Sequence, residues 1–420
     1  VDGAMRLFAR RADGIDLLLV DAPHLYKRPG GPYINEAGVD WVDNHLRFAS
    51  FSRAAANVAR DGARGWRPDV LHVHDWQTAL APAYLRLDGR GGPPCVITIH
   101  NMAFQGVFPS AEIDALALPR AGFHPDGYEY WGQVSFLKAG LVYSDRITTV
   151  SPTYARELTA AEFGMGLQGV IAARRADMWG VLNGVDCEVW NPSADPHLPA
   201  PYAADDLSGK AAARAALAEA FEIDAERHEP LFGIVSRLTR QKGIDLLIAV
   251  LPRLLARGAT LAVLGTGDPD LEAAFRAAAT AYPRRVGVRI GYSEPMAHLV
   301  QAGADSILVP SRFEPCGLTQ LYALRYGSPP VVGRTGGLAD TVIDANDAAI
   351  RAGCGTGFTF SPIAAGTLAD ALDRACDAFA EPDLWTKLVR RAMSHPVGWE
   401  VSAKRYAALY AETARRPEVG

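Results

Sequence analysis

The sequence predicts an α/β protein built from two doubly wound, parallel-sheet domains facing a central cleft, and three observations predict it. Short apolar runs of strand length alternate with longer helical stretches, the pattern of a parallel sheet wrapped by helices. The 420 residues exceed what one hydrophobic core usually organises. A stretch rich in Pro, Ala and Asp over residues 191–206 separates two halves that each show the alternation. Such sheets carry their functional loops at the carboxyl ends of the strands, so function is expected at the cleft.

In the first half, residues 1–11 and 15–20 read as strands joined by Ala12-Asp13-Gly14, and 70–73, 94–99 and 146–150 as three more. In the second half, strands at 231–235, 261–264, 286–290, 306–309 and 330–332 alternate with helices such as 244–256 and 271–281. An alanine-rich helix over 210–221 and a polar segment over 224–230 lead into that half. The expected division is a first domain over 1–191, a linker over 192–229, a second domain over 230–394 and a C-terminal segment over 395–420. No element precedes the opening pair of strands to start an α/β domain, so a missing amino-terminal segment is expected.

Composition excludes several classes. A net charge of −5 gives no basic field for nucleic acid, which points to a small or neutral ligand. The five cysteines are odd in number, scattered and form no CxxC pair, which argues against a disulfide framework or a thiolate zinc site and favours a reducing cytoplasm. There is no apolar run of about 18 residues and no signal pattern, so neither membrane insertion nor export is expected.

Chemistry concentrates in a few loops. Ser236-Arg237-Leu238-Thr239-Arg240-Gln241-Lys242-Gly243 joins a strand to a helix. There Arg237 offers a planar fork and Lys242 a compact charge to a diphosphate, although the same residues equally suit a solvated basic loop. Downstream, Pro310-Ser311-Arg312-Phe313-Glu314-Pro315-Cys316-Gly317-Leu318-Thr319 follows a strand, with a helix expected from Gly317 whose free amides suit a phosphate. Glu314 can accept hydrogen bonds from sugar hydroxyls or serve as an exposed loop acid. Cys316 reads as a small buried thiol rather than a nucleophile. Tyr292, after the strand at 286–290, offers a ring to an adenine or sits in an ordinary loop. The turns Gly265-Thr266-Gly267 and Thr335-Gly336-Gly337 are not decisive, and neither a complete GxGxxG nor a P-loop occurs. His72 and His74 share a strand face without further ligands at metal spacing, and Asp268-Pro269-Asp270 is treated as a chance match, so no metal and no cofactor is expected.

Taken together, several segments resemble the bacterial glycogen synthase and plant starch synthase family of retaining glycosyltransferases, whose two Rossmann-like domains form the GT-B arrangement. They are Asp21-Ala22-Pro23-His24-Leu25-Tyr26, Arg28-Pro29-Gly30-Gly31-Pro32-Tyr33, His74-Asp75-Trp76, residues 100–106, Asn183-Gly184-Val185-Asp186, residues 236–239 and 241–243, and residues 310–320, in family order over nearly the whole chain. The resemblance implies ADP-glucose as donor, an α-1,4-glucan or maltooligosaccharide as acceptor, and retention at the anomeric carbon. It assigns the donor diphosphate to Arg237 and Lys242 and the glucosyl hydroxyls to Glu314. His100 falls beside the transferred sugar with Asn101 next to it, Asp75 on the acceptor side, and Asn183 at the donor. Cys316, Gly317, Leu318 and Thr319 complete the substrate-binding set, with Tyr292 near the base.

Family members open with a strand and a Lys-x-Gly-Gly-Leu loop over the donor phosphates, and no such motif occurs before Val1. The expectation is therefore a synthase lacking that loop and impaired by the lack. The alternative is a catalytically incompetent relative that only binds nucleotide sugar or glucan. The C-terminal helix at 399–410 is expected to return to the first domain, with Trp399, Tyr406 and Tyr410 as packing residues.

Overall fold

A computed structural model describes residues 3–224 and 228–415. Val1 and Asp2 of the first expected strand, residues 225–227 of the expected linker and residues 416–420 lie outside the described residues. The chain forms two compact units: the first runs to Val150, takes in Ala155–Val181 and resumes at Arg405, and the second comprises Ser151–Tyr154 and Leu182–Lys404.

The first unit holds β1 (Arg6–Ala12), β2 (Ile15–Asp21), β3 (Leu71–His74), β4 (Cys95–Ile99), β5 (Val107–Pro109), β6 (Glu129–Tyr130), β7 (Gln133–Ser135), β8 (Arg146–Thr149) and β9 (Met178–Gly180). Its main sheet is all parallel in the order β3-β4-β8-β9. β4 is buried along its whole length, which explains its unbroken apolar and β-branched run. β1 and β2 form a separate antiparallel ribbon, and β5, β7 and β6 a small antiparallel sheet. The latter escaped the sequence reading because strands of two and three residues carry no periodicity.

In the second unit, β10 (Leu231–Val235), β11 (Thr260–Gly265), β12 (Val286–Ile290), β13 (Ser306–Val309), β14 (Val331–Gly333) and β15 (Phe358–Phe360) form one parallel sheet. The order is β12-β11-β10-β13-β14-β15, the doubly wound pattern in which chain order reverses between β10 and β13. Alternate residues feed two cores. Phe232, Ile234, Leu261 and Val263 pack with the helices Ile244–Ala256 and Ala365–Phe379, whereas Leu231, Ala262, Leu264 and Ile307 pack with Ser208–Ala220 and Glu294–Gly303.

Two expected boundaries change. The chain leaves the first unit after Val181, not at 191, because the following residues are captured by the second unit: the Val185 amide donates to Val397 O at 2.8 Å, and Val185 packs with Leu321, Leu324 and Ala392. The stretch expected as a linker is also part of that unit, since Tyr202, Ala213, Leu217, Phe221 and Ile223 are core residues. The C-terminal helix Glu400–Ala414 passes from the second unit to the first at Arg405. Within the first unit, Tyr406 and Tyr410 pack their rings on His72 at 5.7 and 5.6 Å. Trp399, at the start of this helix, is 45% exposed.

Candidate active site

β10 and β13 lie side by side, Phe232 paired with Ser306, and the loops leaving their carboxyl ends diverge at the reversal of strand order. A small cavity of ≈ 50 Å³ opens there, lined by Ser236, Lys242, Ser311, Glu314, Gly317, Leu318 and Thr319 among others. The two loops are stitched together. The Arg312 amide donates to Gln241 O at 2.9 Å, Gln241 Nε2 to Phe313 O at 3.2 Å, and the Arg312 guanidinium forks onto both Asp245 oxygens at 2.6 and 2.8 Å. Gly243 sits at φ +69°, where a Cβ would stand 1.9 Å from Pro310 O, so the close approach of the loops requires glycine.

At the cavity wall, Lys242 Nζ lies 2.5 Å from Glu314 Oε2, and Ser311 Oγ donates to the same oxygen at 2.9 Å. Glu314 is 7% exposed, so its charge is compensated by these two donors. Both contacts fall on Oε2, and the carboxylate faces the cavity, where a ligand hydroxyl can reach it. Behind the loop, the Gly337 amide donates to Glu314 O and Pro315 O, each at 3.1 Å. A Cβ on Gly337 would meet Cys316 O at 2.1 Å, which explains the paired glycines of the Thr335-Gly336-Gly337 turn.

The helix expected from Gly317 begins at Thr319, because Gly317 takes the left-handed conformation at φ +70° and cannot be its first turn. Burial pushes the Cys316 thiol up to about 11, with a backbone hydrogen bond from Asn183 acting the other way, so the thiol stays protonated near neutrality and Asn183 is brought beside this loop. Arg237 and Tyr292 are exposed and do not line the cavity; Tyr292 is 81% exposed.

The first unit brings together a second group. β3 ends in His74 and β4 is followed by His100 and Asn101, on adjacent parallel strands. Asp75, held at φ +50°, accepts the His100 amide at 2.7 Å and the Asn101 amide at 3.4 Å through Oδ1. Its carboxylate therefore fixes the backbone that carries His100. Burial raises the Asp75 pKa, and the two amide donors oppose the rise. His74 Nδ1 meets His100 Nε2 at 3.0 Å, and burial lowers both imidazoles. Two neutral rings sharing one N–H is the consistent arrangement. The nitrogens of His72 are taken by Tyr410 Oη at 2.7 Å and Thr98 Oγ1 at 2.6 Å, so its shared face with His74 serves packing.

Asp75 and Asn101 also line an open cavity of ≈ 860 Å³ whose walls include Tyr33, Trp76, Phe104, Phe108 and Tyr130. Amides and carboxylates stand among these rings, and among the described residues no lysine or arginine lines it. The sequence reading missed this aromatic wall: Tyr33 and Trp76 sit in quoted motifs, but nothing in their spacing brings Tyr33, Phe104 and Tyr130 into one wall. Ser311 and His74 sit in loops that the sequence singles out, but their contacts with Glu314 and His100 emerge only when two loops meet.

Comparison with known proteins agrees with this architecture. Residues 3–173 match the family model of the starch synthase catalytic domain, and residues 218–384 that of glycosyl transferases group 1. The chain is 56% identical over 408 residues to glycogen synthase of Roseobacter denitrificans, covering 97% of this chain and 85% of the relative. It is 51% identical over 410 residues to glycogen synthase of Rhodopseudomonas palustris, covering 98% and 85%. The structure resembles the catalytic domain of starch synthase IV from Arabidopsis thaliana bound to ADP and acarbose, with a TM-score of 0.87 and 32% identity over 98% of this chain and 85% of that one. A sucrose-phosphate synthase from Thermosynechococcus elongatus, at TM-score 0.58 and 20% identity over 98% and 86% of the two chains, shares the fold. These relatives favour the transferase over the binding-only alternative. The chain belongs to the glycogen synthase family of GT-B glycosyltransferases.

Proposed function

We propose that this chain transfers glucose from ADP-glucose to the non-reducing end of an α-1,4-glucan with retention, holding the donor in the second unit and the acceptor in the first. The observation that carries this reading is the pairing of Lys242 with Glu314 at the reversal point of the β10–β13 sheet. An arriving diphosphate draws Lys242 toward its oxygens, with the Gly317 and Leu318 amides beside it and Arg237 reaching in from its exposed position. Glu314 then exchanges an ammonium for the glucosyl hydroxyls, so its buried charge keeps hydrogen-bond donors throughout. As the glycosidic bond to phosphate breaks, negative charge grows on the leaving group, and Lys242 and Arg237 stabilise it.

The ADP-bound starch synthase supports the choice of nucleotide, and the cation-free aromatic cavity supports a neutral polyhydroxyl acceptor. Asn183, beside the Glu314 loop, is assigned to the donor, and Tyr292 to the base. The five cysteines are free thiols, in keeping with a reducing cytoplasm. Among the described residues no helix is long and apolar enough to cross a membrane. Titration of ADP into the wild type and Lys242→Met tests the reading: Kd should rise at least about tenfold in the variant, as expected for loss of a charge-assisted contact. An unchanged Kd would place the diphosphate elsewhere.

A further inference from the structure

Trp131 is the most exposed aromatic side chain among the described residues, at 83%, and it sits at the tip of the β6–β7 hairpin. Tyr130 pairs with Gln133, so Trp131 and Gly132 are the two central residues of the turn, at φ +50° and +77°. Positive φ at both positions is the geometry that Asn-Gly adopts without strain, whereas a bulky residue in the left-handed region costs about 1–2 kcal/mol. Exposing an indole adds to that cost. An unfavourable conformation at an exposed position marks a functional candidate.

The turn is rigidly mounted. The Gly132 amide donates to Glu129 Oε1 at 2.6 Å, and Tyr130 Oη donates to Met165 O at 3.0 Å. The buried ammonium of Lys138 donates to Glu129 O at 2.6 Å and to Pro125 O. A mobile tip could turn an indole aside; this one is held out. It also stands next to the cavity, because the preceding residue, Tyr130, lines the ≈ 860 Å³ cavity together with the exposed rings of Phe104 and Tyr33.

We propose that Trp131 is a stacking platform for an α-glucan, extending the acceptor site beyond the cavity and setting a preference for longer chains. This rests on the reading of the cavity as the acceptor site. The chemistry favours a carbohydrate: flat ring faces meet the apolar C–H faces of glucose, amides and carboxylates meet its hydroxyls, and the cavity lining holds no cation that would select a phosphate.

The test is titration of maltotriose and maltoheptaose into the full chain, its Trp131→Asn variant and its Phe104→Ala variant. Asparagine suits the turn, so Trp131→Asn is expected to melt no lower than wild type. The gain in affinity from maltotriose to maltoheptaose should shrink about tenfold in Trp131→Asn, while Phe104→Ala weakens both sugars. A wild-type length preference in Trp131→Asn, with both sugars weakened by Phe104→Ala, overturns the platform and leaves the acceptor cavity standing. If neither variant changes either affinity, both readings fall.

Discussion

Lys242 and Glu314, 72 residues apart, meet at 2.5 Å in a wall of the small cavity where the β10 and β13 loops part. The pair is nearly buried, at 18% and 9% side-chain exposure, so each member is the other's main substitute for water. That arrangement separates what the two residues do for stability from what they do for turnover.

Lys242→Met removes the charged partner of a buried carboxylate that keeps Ser311 as a donor, and should destabilise the second unit by about 3 kcal/mol. Adding Glu314→Gln removes the uncompensated charge and should restore most of that loss without restoring activity. Urea unfolding of both single variants and the double variant checks this, since additive losses would mean that the pair is not coupled.

Gly337→Ala should lower both stability and kcat. Its Cβ would stand 2.1 Å from Cys316 O, and the backbone under Glu314 must move to admit it. Overpacking of this kind costs about 1–3 kcal/mol. A melting temperature equal to wild type would show that the loop has room that the structure does not show.

The fold's repeating parts were legible because parallel strands buried on both faces read as apolar runs, as β10, β11 and β13 do. The point where the chain leaves the first unit was not, since Val185 is won by Val397, a partner more than 200 residues away that no local pattern announces. Trp190 illustrates the same limit: it is sandwiched between His298 at 3.8 Å and Tyr322 at 3.7 Å, while Asp195 binds both His298 and Tyr326. These contacts place the end of the expected first domain and the start of the expected linker in the second unit. In the site, residue types pointed to Lys242 and Glu314, but which of the loop cations lines the cavity depends on how two loops meet.

The first unit should weaken as pH falls below about 6.5. Burial, with the neighbouring His74 and His100 adding to it, lowers His72 to about 3, so the folded state holds the neutral ring while the unfolded chain binds a proton. Stability from this group is fully present above the unfolded value and is lost as pH falls from there toward the folded one, by up to about 1.4 kcal/mol per pH unit. His72→Gln should flatten the profile of melting temperature between pH 6.5 and 4; an unaltered slope would assign the acid sensitivity to other groups.

Asp75→Ala should raise KM for glucan and destabilise by about 1–3 kcal/mol, because the His100 and Asn101 amides lose their acceptor. Asp75→Asn keeps an oxygen at that place and should recover much of both. Acceptor kinetics for the two variants check the prediction, and equal defects would point to the charge rather than the backbone support.

The most direct measurement is transfer of labelled glucose from ADP-glucose to glycogen by the 420-residue chain and its Glu314→Gln variant. Incorporation by the wild type, with a fall of at least about 10²–10³-fold in the variant, is the expected result. Equal incorporation by both proteins would contradict a site built on Lys242 and Glu314, and no incorporation by a folded, ADP-binding wild type would contradict the transferase activity of this chain.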